Sequence, residues 1–86
     1  MDRQKNAHRS PHYGAMQDVV DSLFEGADSV RRLDVVISAE SADLPEDLLE
    51  IVNLLPPGRY TRQRLCDQLN SSIAGHAWGQ VYGTVC

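Results

Sequence analysis

The chain has 86 residues, twelve acids against eight lysines and arginines, a formal charge of −4 and an apolar share of 42%. That length holds one small domain with limited apolar surface to bury, and the apolar share argues against disorder over most of it. An overall acidic balance does not suit a polyanion binder, and no apolar run reaches the length of a membrane span or a signal-peptide core. The expectation is therefore a cytoplasmic protein without a membrane role.

The charge is segregated along the chain. Residues 15–50 carry ten acids against Arg31 and Arg32, a local charge of −8, while residues 1–14 and 51–86 each carry +2. The opening "MDRQKNAHRSPHYG" is basic and almost free of aliphatic residues. It cannot bury enough surface to offset the entropy of ordering, so residues 1–14 read as a disordered basic arm and residues 15–86 as the folded domain.

In "AMQDVVDSLFEG" the residues Met16, Val19, Val20 and Leu23 recur with helical spacing, and Gly26 is placed to end the helix. Its polar face presents Asp18, Asp21 and Glu25. "RRLDVVIS" then changes period: Leu33, Val35 and Ile37 alternate with polar neighbours, which predicts a short strand over 33–38.

"DLPEDLLEIVNLL" reads as the central helix. Asp43 is a candidate cap, Pro45 is tolerated in a first turn, and Glu46 and Asp47 suit the positive end of the helix dipole. Leu48, Ile51, Val52 and Leu55 form its apolar stripe, widened by Leu49 and Leu54. Pro56 and Pro57 stop it, and Pro57-Gly58 suits a type II turn. Thr61 is an N-cap candidate for a helix over 62–74, with Leu65, Cys66, Leu69 and Ile73 inward and Gln63, Arg64, Asp67, Gln68, Asn70 and Ser71 outward. The closing "AWGQVYGTV" alternates again and predicts a strand, with Trp78 and Tyr82 on one face, paired with residues 33–38. The fold expected is thus α+β: three helices and a small two-stranded antiparallel sheet in the order α-β-α-α-β.

That order, together with the string "GRYTRQRLCDQLN", resembles the winged helix-turn-helix superfamily over residues 15–85. Two registers compete, one with 45–54 as supporting helix and 62–74 as recognition helix, the other shifted to 61–69 and 72–83. The shifted register places Gly75, Gly79 and Gly83 in a helix at about 1 kcal/mol each relative to alanine, which favours the first. In that register the resemblance implies duplex DNA as partner. Arg64, Gln63, Gln68 and Asn70 would face a major groove, and Arg59 and Arg62 would meet phosphates. Asp67 on the same face opposes this, as does the acidic charge of the whole.

A second class of function competes with the first. The acidic residues Asp18, Asp21 and Glu25, with Trp78 and Tyr82 as an aromatic pair, would instead serve a protein partner, as an inhibitor or adaptor. Self-association into a homodimer is left open. Catalysis is not expected: Cys66 and His76 have no pattern that brings them together, and no phosphate loop or zinc-ligand spacing is present, so no cofactor or metal is called for. The two cysteines do not make a secreted disulfide framework. Cys66 reads as a small core residue and Cys86 as an exposed thiol, and a bridge between them stays open.

Overall fold

The structure, a computed structural model, describes residues 10–76 and 78–86. Its elements are α1 (Ala15–Leu23), β1 (Ser29–Arg31), α2 (Arg32–Ser41), α3 (Glu46–Asn53), β2 (Arg59–Thr61), α4 (Arg62–Gly75) and α5 (Gly79–Tyr82). The domain is α+β with a two-stranded antiparallel sheet, and the described residues form five helices where the sequence suggests three.

The sheet lies elsewhere than the alternating patterns predict. β1 pairs with β2 in the register Ser29 with Thr61, Val30 with Tyr60 and Arg31 with Arg59. Residues 33–38 belong to helix α2. The reason is an ambiguity of period. Alternation at Leu33, Val35, Ile37 and Ala39 also satisfies a helix that is apolar on two opposite faces, because residues four apart share a face. Val35 and Ala39 are fully buried between α1 and α3, whereas Leu33 and Ile37 are 59% and 52% exposed. Asp34 helps to start this helix: its carboxylate accepts the Arg31 backbone N–H at 2.9 Å.

The closing strand is also a correction. Trp78 precedes α5 and Tyr82 ends it, so the two aromatics are four apart on one helical turn and meet edge to face at 5.8 Å. Tyr82 is buried and its hydroxyl donates to Asp47 Oδ2 at 2.9 Å, which ties α5 to the start of α3. After α5 the chain turns at Gly83, whose φ is +86° and where a Cβ would meet the Tyr13 ring at 3.4 Å. Only glycine takes that backbone without strain. Residues 83–86 then run back along α4.

Several expectations hold in detail. Thr61 Oγ1 accepts the Arg64 N–H at 3.3 Å, the side-chain cap of α4. Leu65, Cys66, Leu69 and Ile73 are buried, as are Leu48, Ile51, Val52 and Leu55 on the opposing helix. Pro45 is the residue before α3 and its carbonyl accepts from Leu48 and Leu49, both at 3.0 Å. Asp43 does not cap α3; it takes a left-handed turn with φ +58°. The basic arm lies outside the described residues up to residue 9. Its last five residues are tied to α5: Ser10 donates to the Val81 carbonyl at 2.9 Å and Gly14 to that of Tyr82 at 3.0 Å.

One core gathers α1, α2, α3, α4, the sheet and the closing segment, and among the described residues no polar or charged residue is buried in it. Leu48 and Leu65 are both fully buried, one on each side of the α3–α4 contact. Leu48→Ala and Leu65→Ala should each lower unfolding free energy by about 2–5 kcal/mol in urea titrations. Unchanged midpoints for both would contradict this packing.

Candidate nucleic-acid interface

The charges that matter sit where strands become helices. β1 runs directly into α2 and β2 directly into α4, and these two junctions hold Arg31, Arg32, Arg59, Arg62 and Arg64. Every arginine among the described residues is in this group. Pairing of β1 with β2 zips the two junctions together, so cations nearly thirty positions apart in sequence become neighbours.

The outward face of the sheet is its most basic part. Val30 and Tyr60 are buried opposite one another, which turns Ser29, Arg31, Arg59 and Thr61 outward. Arg31 and Arg59 are directly paired and both exposed. Like charges placed directly opposite are unfavourable by themselves. Arg59 relieves part of this by donating from Nη1 to Ser29 Oγ at 3.1 Å. Arg64, in the first turn of α4, lies with its guanidinium 5.6 Å over the Tyr60 ring, within cation–π range. The Tyr60 hydroxyl donates to the Pro56 carbonyl, which fixes the ring beneath that cation.

The other two arginines have structural partners. Arg32 donates from Nε to the Leu55 carbonyl at 2.7 Å and from Nη2 to that of Asn53 at 2.9 Å. It thereby satisfies carbonyls at the end of α3 and places positive charge at the negative end of its dipole. Arg62 pairs with Asp21 of α1, the only ion pair among the described residues. It also donates to the Cys86 carbonyl from Nε at 3.1 Å and Nη2 at 3.0 Å.

The six residues expected to face DNA therefore divide into two groups. Arg59 and Arg64 flank Tyr60 at the sheet, and Gln68 is exposed one turn beyond Arg64 on the outer side of α4. Arg62, Gln63 and Asn70 border the cleft against residues 85–86, together with Asp67. The Asn70 amide is engaged there, accepting the Val85 N–H and donating to the Val85 carbonyl, each at 2.8 Å. The sequence does not single out Arg31, because the alternating pattern that predicts a strand lies at 33–38. The signal available was the recurrence of a short arginine-bearing segment, "SVRR" and "RYTR", ahead of each helix.

Of the residues expected to serve a protein partner, Asp21 and Tyr82 are engaged within the domain, and Asp18, Glu25 and Trp78 are not buried. Asp21 is paired with Arg62, Asp18 lines a shallow cleft with Ser22, Ser38 and Ser41, and Glu25 is exposed beyond the end of α1. Trp78 is half-buried and stacks on His76 at 4.8 Å, while Tyr82 is inside the core. Burial, and then the hydrogen bond to Asp47, push the Tyr82 hydroxyl above its ordinary value.

The Arg62–Asp21 pair has a pH signature. The hydrogen bond from Arg62, then that from Gln17, holds the Asp21 carboxyl below its ordinary value of 3.8. A carboxyl depressed in the folded state contributes stability above its unfolded value and loses it as pH falls through the folded one. Asp21→Asn should remove this acid-side loss. Its melting temperature should then fall less steeply than that of the wild type as pH drops below 3.8. Superimposable profiles would show that the pair contributes nothing.

The chain matches no protein-family model, and comparison with curated proteins and with solved structures finds no match either.

Proposed function

We propose that the protein is a small non-enzymatic regulator that binds duplex DNA through the surface where its two strand–helix junctions meet. The observation that carries the reading is the meeting of Arg31, Arg59 and Arg64 at those junctions, with Arg31 and Arg59 side by side and exposed. In an otherwise acidic chain, such clustering matches the charge pattern of a phosphate backbone and disfavours contact by the rest of the surface.

In this reading Arg31 and Arg59 meet phosphates and fix register, while the outer row of α4, Arg64 and Gln68, approaches base edges. The likeness to a winged helix then lies in α3 as supporting helix and α4 as reading helix. The sheet flanks the start of α4 and shares the interface. The loop between α3 and α4 contains β2, so the cations reach the surface from a strand as well as from a helix.

A second reading rests on a different observation. Leu33 and Ile37 lie one turn apart on α2 and are more than half exposed, and Leu54 at the end of α3 is 55% exposed. Exposed aliphatic residues grouped on a helix suit a protein partner. That reading predicts negligible DNA binding and an association that weakens when Leu33 or Ile37 is made polar.

Titration with mixed-sequence duplex DNA at low ionic strength separates the two. Binding should be detectable there and weaken steeply with salt. Arg31→Ala and Arg59→Ala should each reduce the slope of log K against log salt by about one unit. Arg64→Ala should in addition relax any sequence preference. Absence of binding at low salt would overturn the DNA reading.

A further inference from the structure

The segment Val85–Cys86 and helix α4 form a second feature, one that DNA binding does not use. Arg62, Cys66 and Asn70 follow one another at four-residue spacing along one side of α4. Asn70 holds both main-chain groups of Val85, and Arg62 holds the carbonyl oxygen of Cys86. The dipeptide is thus pinned one turn to either side of Cys66. From α1, the Gln17 amide grips Cys86 as well, accepting its N–H at 2.9 Å and donating to its carbonyl at 3.0 Å. Val85 is buried, the Cys86 residue is exposed, and both cysteines are free. Cys66 and Cys86 line the same cleft, whose volume is about 610 Å³.

We propose that Cys66 and Cys86 are a thiol–disulfide exchange site that takes a small-molecule disulfide of the glutathione class and ends as an internal bridge locking the segment onto α4. Cys86, the accessible thiol, loses its proton to water and its thiolate attacks one sulfur of the small disulfide. That S–S bond breaks, one small thiol leaves as its thiolate and takes up a proton from water, and a mixed disulfide remains on Cys86. Cys66 then gives up its proton to water, its thiolate attacks the Cys86 sulfur, the mixed S–S bond breaks, and the second small thiol leaves as its thiolate and takes up a proton. Two protein thiols are oxidised by two electrons, and one small disulfide is reduced to two thiols.

The order of events follows from the surroundings. Burial pushes the Cys66 thiol up, against the opposing influence of Arg62, so Cys66 is the poorer first nucleophile. Once the mixed disulfide stands in its cleft, proximity replaces intrinsic reactivity. Closure of the ring leaves fewer states to the segment when it detaches, which holds residues 85–86 against α1 and α4.

The test uses the 86-residue chain in mixtures of reduced and oxidised glutathione at mildly alkaline pH. The expected product is a monomer lighter by two hydrogen atoms that yields a cross-linked Cys66–Cys86 peptide on digestion. Amide exchange at Val85 and Cys86 should slow by at least about tenfold relative to the reduced chain. Cys66→Ala, which keeps a small apolar side chain, should stop at a glutathione adduct on Cys86, and Cys86→Ser should stay unmodified. A wild-type chain that accumulates the Cys86 adduct with Cys66 still free would overturn the proposal. So would bridges formed only between chains.

Discussion

Three residue pairs between β1 and β2 hold the arrangement together. Val30 and Tyr60 face inward across the sheet and are buried, so neither strand can slip by one residue without turning its buried side chain toward water. A sheet this short is not stable alone. It persists because its inner face is part of the core and because each strand continues into a helix anchored by its own packing. Arg32 adds a link at the same place, joining the start of α2 to the last carbonyls of α3. Its backbone N–H also donates to the Gly58 carbonyl at 3.1 Å, which fixes the turn leading into β2.

The same pairing sets the electrostatics. The register that buries Val30 against Tyr60 forces Arg31 beside Arg59 on the outside, and helix geometry carries Arg64 over the Tyr60 ring. Two like charges in direct opposition cost free energy in the isolated chain, and an anion bound between them would remove that cost. The acids meanwhile are distributed over α1, α2, α3, α4 and the loops, Asp34 beside Arg31 among them, and several occupy favourable first turns of helices. Within a chain of net charge −4, Arg31, Arg59 and Arg64 are thereby brought together around the sheet.

The helices with a single apolar stripe were legible in the sequence, and so was the cap of α4. In α1, α3 and α4 the buried residues fall at the spacing the sequence shows, and Thr61 accepts the bond its position suggests. What was not legible is the helix with two apolar faces. In α2 the exposed Leu33 and Ile37 interleave with the buried Val35 and Ala39, so a helix imitates the alternation of a strand. The true strands are three residues long, too short for any period to declare itself. At the C-terminal end, alternation of Trp78, Gln80 and Tyr82 concealed a single helical turn closed by Gly83. The candidate site suffered from the same gap: Arg59 and Arg64 stood out on their own, but their neighbour Arg31 is recognisable only once the register is known.

The central claim is that strand pairing assembles the surface that meets the partner. Mapping backbone amide shifts by NMR while a short duplex is added at low salt tests it residue by residue. The account predicts that shifts concentrate at residues 29–32 and 59–64, on both junctions at once, and spare α3. Shifts confined to the outer face of α2 around Ile37, or to α4 without β1, would contradict it.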